Sequence, residues 1–157
     1  MDKATFGAGC FWGVEAAFRK LDGISSTSVG YTGGNTENPT YQEVCTGLTG
    51  HAEVVQVEYD PDTIGFEQLL ETFWECHDPT QLNHQGPDFG TQYRTSIFFH
   101  SDVQDQAAQS SLAAQEQTGR YGGPIVTEII PAGHYTVAED YHQQYFEKMS
   151  NRRMRLF

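Results

Sequence analysis

Lys3-Ala4-Thr5-Phe6-Gly7-Ala8-Gly9-Cys10-Phe11-Trp12-Gly13-Val14 is the stretch on which the fold turns. Ala4, Phe6 and Ala8 alternate to one side, the period of a strand. Val14, Ala17, Phe18 and Leu21 then recur at i, i+3, i+4 and i+7, the period of a helix. Cys10 falls at the junction, near the first helical turn, where unpaired N–H groups and the positive dipole end favour a thiolate. The thiolate is the nucleophilic form. A free cysteine can equally be a small buried hydrophobe, but the helix start and the flanking glycines favour the functional reading.

Working outward, 26–31 and 53–59 read as strands, and Phe66, Leu69, Leu70, Phe73, Trp74 and His77 mark an amphipathic helix between them and the next strand, 95–100. Ser101 with Gln104 predicts a capping box for a third helix running to about Gly119. A strand over 125–130 and a short helix from about Ala138 complete the chain. This order is that of an α+β protein: a two-layer, ferredoxin-like (split βαβ) sheet with helices on one face and extra C-terminal elements. One domain over 1–157 is expected, with 149–157 a flexible tail; Arg152, Arg153 and Arg155 then belong to a solvated end rather than to a basic motif.

The balance of 21 acidic against 9 basic residues, net −12, disfavours nucleic acid and anionic membranes as partners. No apolar run approaches the roughly 20 residues of a bilayer span. The three cysteines fit neither a zinc spacing nor a simple disulfide framework, so a reducing cytoplasm is the expected address. The histidines are scattered without HxxxH or HExxH spacing, so no metal is expected. Nor does any dinucleotide or phosphate-loop fingerprint occur, so reducing power has to come from thiols. Two long aperiodic stretches, 32–52 and 78–93, carry Tyr, Asp, His and Gln among Gly and Pro; both read as ordered walls of a pocket over Cys10.

Gly9-Cys10-Phe11-Trp12-Gly13 resembles the active-site motif of the peptide methionine sulfoxide reductase A family, which reduces the S epimer of methionine sulfoxide. The resemblance extends, in the family's order, through Gly30-Tyr31-Thr32-Gly33-Gly34, Asn38-Pro39-Thr40-Tyr41, Thr49-Gly50-His51-Ala52-Glu53, Tyr59-Asp60-Pro61, His77-Asp78-Pro79-Thr80 and Gly90-Thr91-Gln92-Tyr93-Arg94. It closes on 138–145, Ala-Glu-Asp-Tyr-His-Gln-Gln-Tyr, and so covers about residues 3–146. It implies the same two-layer fold, no bound cofactor, and an external thiol reductant: thioredoxin, glutaredoxin or glutathione. Oxidised methionine-containing proteins and peptides are the implied substrates, and a monomer is expected.

A sulfoxide sulfur becomes electrophilic once its oxygen is protonated, so thiol reduction needs a nucleophile and an acid on opposite sides of the S–O group. Strand alternation puts Glu53 on the side of Val55, Val57 and Tyr59, where lost hydration would keep a proton on it near neutrality. Pattern alone leaves a solvated strand-end carboxylate equally open; the resemblance implies the acid at Glu53. Tyr41 and Tyr93 can offer phenol donors to the sulfoxide oxygen, although tyrosines commonly just pack their rings; the resemblance implies both. It also implies Asp88, which sequence alone reads as a turn aspartate, and an apolar slot framed by Phe11 and Trp12 for the S-methyl group.

The departure from the family is at the C-terminus, where many members carry resolving cysteines; here none follows Cys76. His84 and His134 depart too, standing where relatives often have Arg and a large aromatic. Cys45 and Cys76 are the candidate resolving thiols, beside direct attack by an external thiol, which is favoured. A thiol redox sensor or peptide-binding module would need only the thiol, whereas Cys10, Glu53, Tyr41 and Tyr93 occur together. A Cys–His hydrolase would need a histidine that no motif singles out.

Overall fold

Ala4 and Phe6 face the core from β1 (Asp2–Gly7), and the elements that follow are built around them. The computed structural model describes residues 1–155. In chain order it has α1 (Phe11–Arg19), β2 (Ile24–Thr32), α2 (Tyr41–Cys45), β3 (Ala52–Tyr59), α3 (Phe66–Glu75), the short hairpin β4 (His84–Gln85) and β5 (Asp88–Phe89), a 3-10 turn Thr91–Tyr93 and β6 (Ser96–Phe99). Then come α4 (Asp102–Gln117), β7 (Glu128–Pro131), β8 (Tyr135–Val137), a second 3-10 turn Asp140–His142 and α5 (Tyr145–Arg155).

Six strands form one sheet in the order β7-β6-β1-β3-β2-β8, antiparallel throughout except for the parallel pair β6–β7. Register puts Phe6 opposite Val55 and Ile97, and Val29 opposite Val55. These side chains share a face with Ala4 and Val57, which α1, α3 and α4 cover through Val14, Phe18, Leu69, Leu70, Phe73, Trp74 and Ala108. Phe6 stacks on Phe18 with ring centroids 5.1 Å apart, joining β1 to the helix that follows it. The other face is covered thinly: Ile130, Ala132 and Tyr135 pack on Ala52, Val54 and Phe98. A mixed α+β architecture is thus in place, with extra elements after α4.

Several expectations are corrected. β7 begins at Glu128 rather than 125, because the Val126 N–H donates to the Pro79 carbonyl at 2.9 Å instead of to the sheet. The expected capping box is half formed: Ser101 Oγ accepts from the Gln104 N–H, but the Gln104 side chain accepts from the His100 N–H and donates to the Lys3 carbonyl. Where a short helix is expected from about 138, the chain makes the 3-10 turn Asp140–His142, and α5 begins only at Tyr145; the strand β8 before it is not among the expected elements. The stretch 149–155, expected as tail, continues α5, whose first residues are fixed by Arg19–Glu147 bonds and by Tyr145 stacked on Trp12. The last two positions of that expected tail lie outside the described residues. No helix among the described residues is long and apolar enough to cross a membrane.

Candidate active site

The break between β1 and α1 is held open by Gly9, whose φ of +97° disfavours any side chain; an added Cβ would meet Gln85 Cγ at 2.9 Å. Cys10 follows as the N-cap of α1, extended at φ −57° and ψ 121°. The N–H groups of Trp12 and Gly13 point at its sulfur and favour the thiolate, as the helix start leads one to expect. Burial outweighs them. Together with the fields of Glu53 and Asp88, it raises the Cys10 thiol to about 11, so the resting form at neutral pH is the thiol and the expectation of a thiolate is corrected.

Glu53 enters from β3, directly opposite Tyr31 and on the face of Val55 and Val57, as alternation predicts. Its side chain is 1 % exposed. The Phe11 N–H donates to Oε1 at 3.4 Å and Gln92 Nε2 donates to Oε2 at 3.2 Å. Burial dominates these two donors and pushes the carboxyl up to about 7. Asp88, on the exposed β5, adds a field that reaches both Glu53 and Cys10.

Tyr41 opens α2 and Tyr93 closes the first 3-10 turn. Burial first, then neighbouring groups including Glu53, raises both phenols, Tyr93 to about 12. Both therefore hold their protons and can donate. α2 forms despite its five residues because Thr40 Oγ1 accepts from the Glu43 N–H and Glu43 accepts from the Thr40 N–H, a complete capping box. Glu139 fixes the end of α2 that carries Tyr41, accepting from the Tyr41 N–H and the Tyr31 hydroxyl, each at 2.9 Å.

Phe11 is buried among Tyr31, Tyr41 and His142, so it backs the site rather than opening to solvent. Trp12 is half-buried, stacked on Tyr145 at 3.8 Å, with its Nε1–H donating to His142 Nδ1 at 2.9 Å. That bond puts the ring proton of neutral His142 on Nε2, which is buried without a partner among the described residues. Burial lowers the imidazole's affinity for a second proton.

Of the other two thiols, Cys45 joins the site. Its sulfur accepts from Gln92 Nε2 at 3.3 Å, and it lies near enough to Tyr41 to raise that phenol. Cys76 packs against the main core, donates to the Phe73 carbonyl, and is pushed up to about 12 by burial. The stretch 32–52 reaches the site only through α2. Gly33–Asn38 instead line a cavity of about 610 Å³ with Phe98 and His134, on the opposite sheet face. Sequence reasoning passed over Gln92, Glu139 and His142, buried or bridging polar residues without periodicity; the Thr40…Glu43 spacing was a readable signal for α2.

The family model described as peptide methionine sulfoxide reductase matches residues 2–156. Peptide methionine sulfoxide reductase MsrA of Methanothermobacter thermautotrophicus is 63 % identical over 152 residues, covering 97 % of this chain and 90 % of the relative. Methionine sulfoxide reductase A of Corynebacterium diphtheriae superposes with a TM-score of 0.84 at 43 % identity, over 94 % of this chain and 74 % of that one. Reduced Mxr1 from Saccharomyces cerevisiae gives 0.87 at 39 %, over 94 % and 84 %. Mxr1 in complex with Trx2 gives 0.63 at 28 %, over 92 % and 84 %.

Proposed function

The chain belongs to the peptide methionine sulfoxide reductase family and is a peptide-methionine (S)-S-oxide reductase, and on that premise we propose that Cys10 is its nucleophile and Glu53 its acid. The observation that carries this is the pairing of a fully buried carboxyl, raised to about 7, with the N–H of the residue next to the thiol. The substrate is methionine-S-sulfoxide, free or in oxidised proteins, and the role is repair.

In this reading the sulfoxide oxygen faces Glu53, Tyr41 and Tyr93, the S-methyl group lies against Trp12 with Phe11 behind it, and Asp88 lies at the mouth. The sulfur of Cys10 attacks the sulfoxide sulfur while Glu53 protonates the oxygen. The thiol's own proton is the one that passes through Glu53 to the oxygen. In balance, a thiol and a sulfoxide become a sulfenic acid on Cys10 and a thioether, with the oxygen passing to the cysteine sulfur.

The proton inventory follows from the two affinities. With the thiol near 11 and the carboxyl near 7, a pair carrying one proton holds it almost always on sulfur. The reactive arrangement, thiolate with carboxylic acid, is the minor one in the resting site. Substrate has to enrich it.

The sulfenic acid then condenses with a thiol, releasing water, and the resulting disulfide is reduced. We assign that thiol to an external reductant of the thioredoxin, glutaredoxin or glutathione class; the Mxr1 complex with Trx2 supports a thioredoxin. Cys45 is the internal alternative, favoured by its bond to Gln92 beside Glu53, whereas the Phe73 carbonyl and the core hold Cys76. Three free thiols fit a reducing cytoplasm, where the enzyme acts as a monomer without nucleic acid or membrane. We read β6-β1-β3-β2, with α1 and α3 as crossovers, as the ferredoxin-like part of the fold.

The experiment is a coupled assay on a blocked methionine sulfoxide peptide, with each epimer and each reductant supplied separately. Turnover of the S epimer alone, lost in Cys10→Ser, is the expected result. Equal turnover of the R epimer would refute the reading.

A further inference from the structure

Gln92 lies between the carboxyl and the thiol of Cys45, and nothing in the reaction just described uses it. Its side chain is buried, 4 % exposed, in the 3-10 turn that ends on Tyr93. Nε2 donates to Glu53 Oε2 at 3.2 Å and to Cys45 Sγ at 3.3 Å, so both amide hydrogens are committed. Turning the amide over would set its oxygen against a carboxylate oxygen, so the orientation is fixed by its partners. Glu53 Oε1 is held from the other side by the Phe11 N–H. The carboxylate is thus gripped at each oxygen by one donor, one from the backbone and one from a replaceable side chain.

We propose that Gln92 is the positioning residue of the acid: its buried amide fixes the plane of the Glu53 carboxyl toward Cys10 and sets the pH at which that carboxyl holds its proton. The proposal rests on Glu53 being the acid.

The physical argument is a competition. Burial penalises the carboxylate, and a hydrogen bond donated to it favours the charged form. The groups facing Glu53 are Cys10 from α1, Tyr31 from β2, Tyr41 and Cys45 from α2, Asp88 from β5 and Tyr93 beside Gln92. None of these is a cation. The two amide donors are therefore the groups that hold the carboxyl down near neutrality, and only that of Gln92 is open to substitution. Glu53 also tethers the turn that carries Tyr93, through the same bond, so acid and phenol are set by one contact.

The test is the pH profile of kcat/KM for methionine formation in single turnover, with parent, Glu53→Gln, Gln92→Met and Gln92→Glu. The reactive pair carries one proton, so kcat/KM of the parent rises with pH through the carboxyl's titration near 7. Gln92→Met keeps the shape and removes the donor; it is expected to move this rising limb up by roughly one pH unit. Gln92→Glu puts a second carboxyl against the first and is expected to move it further. Should Gln92→Met fail to fold, the isosteric Gln92→Glu carries the test alone. A limb that vanishes in Glu53→Gln but stays in place in the folded Gln92 variants overturns this proposal and leaves the acid assignment standing. A limb that persists in Glu53→Gln overturns the acid assignment and the proposal with it.

Discussion

The Phe11 N–H reaches Glu53 Oε1 at 3.4 Å, so the first residue of α1 binds the first inward-facing side chain of β3. This one contact joins the peptide next to the thiol to the buried carboxyl across the sheet. The predictions on Cys10→Ser and Glu53→Gln depend on that proximity.

Cys10→Ser is expected to form no methionine in a single turnover, because a hydroxyl there can neither attack the sulfoxide sulfur nor take up its oxygen. The measurement is methionine released per site without reductant. A stoichiometric burst from the serine variant would remove Cys10 from the mechanism.

Glu53→Gln keeps the shape of the side chain and deletes the acid, so the reductase step should slow by roughly 100-fold or more. Tyr41→Phe and Tyr93→Phe should each cost less, since either phenol can serve when the other is gone. Rapid quench gives the rates; a Glu53→Gln rate equal to the parent's would require another proton donor.

The same carboxyl links stability to pH. Its folded affinity is raised, from 4.5 to about 7, so its contribution is fully present below pH 4.5 and is lost as pH rises through 7. Ionised and buried at pH 8, Glu53 costs on the order of 2–4 kcal/mol. Glu53→Gln should therefore unfold at higher urea than the parent at pH 8, and the gap should close by pH 4. A gap of constant size across that range would show that ionisation of Glu53 is not its origin.

Legibility in the sequence was uneven, for identifiable reasons. The β1–α1 junction and the run Phe66–Trp74 were readable because period and burial agree there, whereas for Glu53 the alternation alone left a solvated carboxylate equally open. The state of Cys10 was not. Helix start and flanking glycines are local signals, whereas the burial that raises the thiol to about 11 comes from chain far away in sequence. His142 and Gln92 escaped for the same reason: their partners, Trp12 and Glu53, stand 130 and 39 positions away. α2 was a different case. Its Thr40…Glu43 cap was visible, but five residues are too few to show a helical period.

Recycling can be read by counting thiols after substrate is added without reductant. Loss of one, with a sulfenic adduct trapped on Cys10, is expected for an external reductant. Loss of two, with a disulfide from Cys10 to Cys45 in the peptide map, would instead make Cys45 the resolving thiol.

Glu15, 1 % exposed, accepts from Thr27 Oγ1, the Gln144 N–H and Gln144 Nε2 at 2.7, 2.8 and 2.8 Å. Glu15→Ala strands these donors and should cost about 3 kcal/mol, at roughly 1 kcal/mol each. Trp12 fluorescence should report the loosening before global unfolding, since Gln144 adjoins its stacking partner Tyr145. A urea midpoint within error of the parent would contradict this.

The contacts of α1 with residues 142–147 also set an order of events for a chain leaving the ribosome. Cys10 and the residues of α1 are made well before His142, Tyr145 and Glu147, which Trp12 and Arg19 later hold. Closing loops of 130 and 128 residues is entropically slow relative to local helix and hairpin formation. The nucleophile thus exists before its enclosure does. During that interval the thiol stands more open to water, and the burial that later keeps it protonated is not yet in force. Oxidants met during synthesis should therefore mark Cys10 more readily in nascent chains than in finished ones.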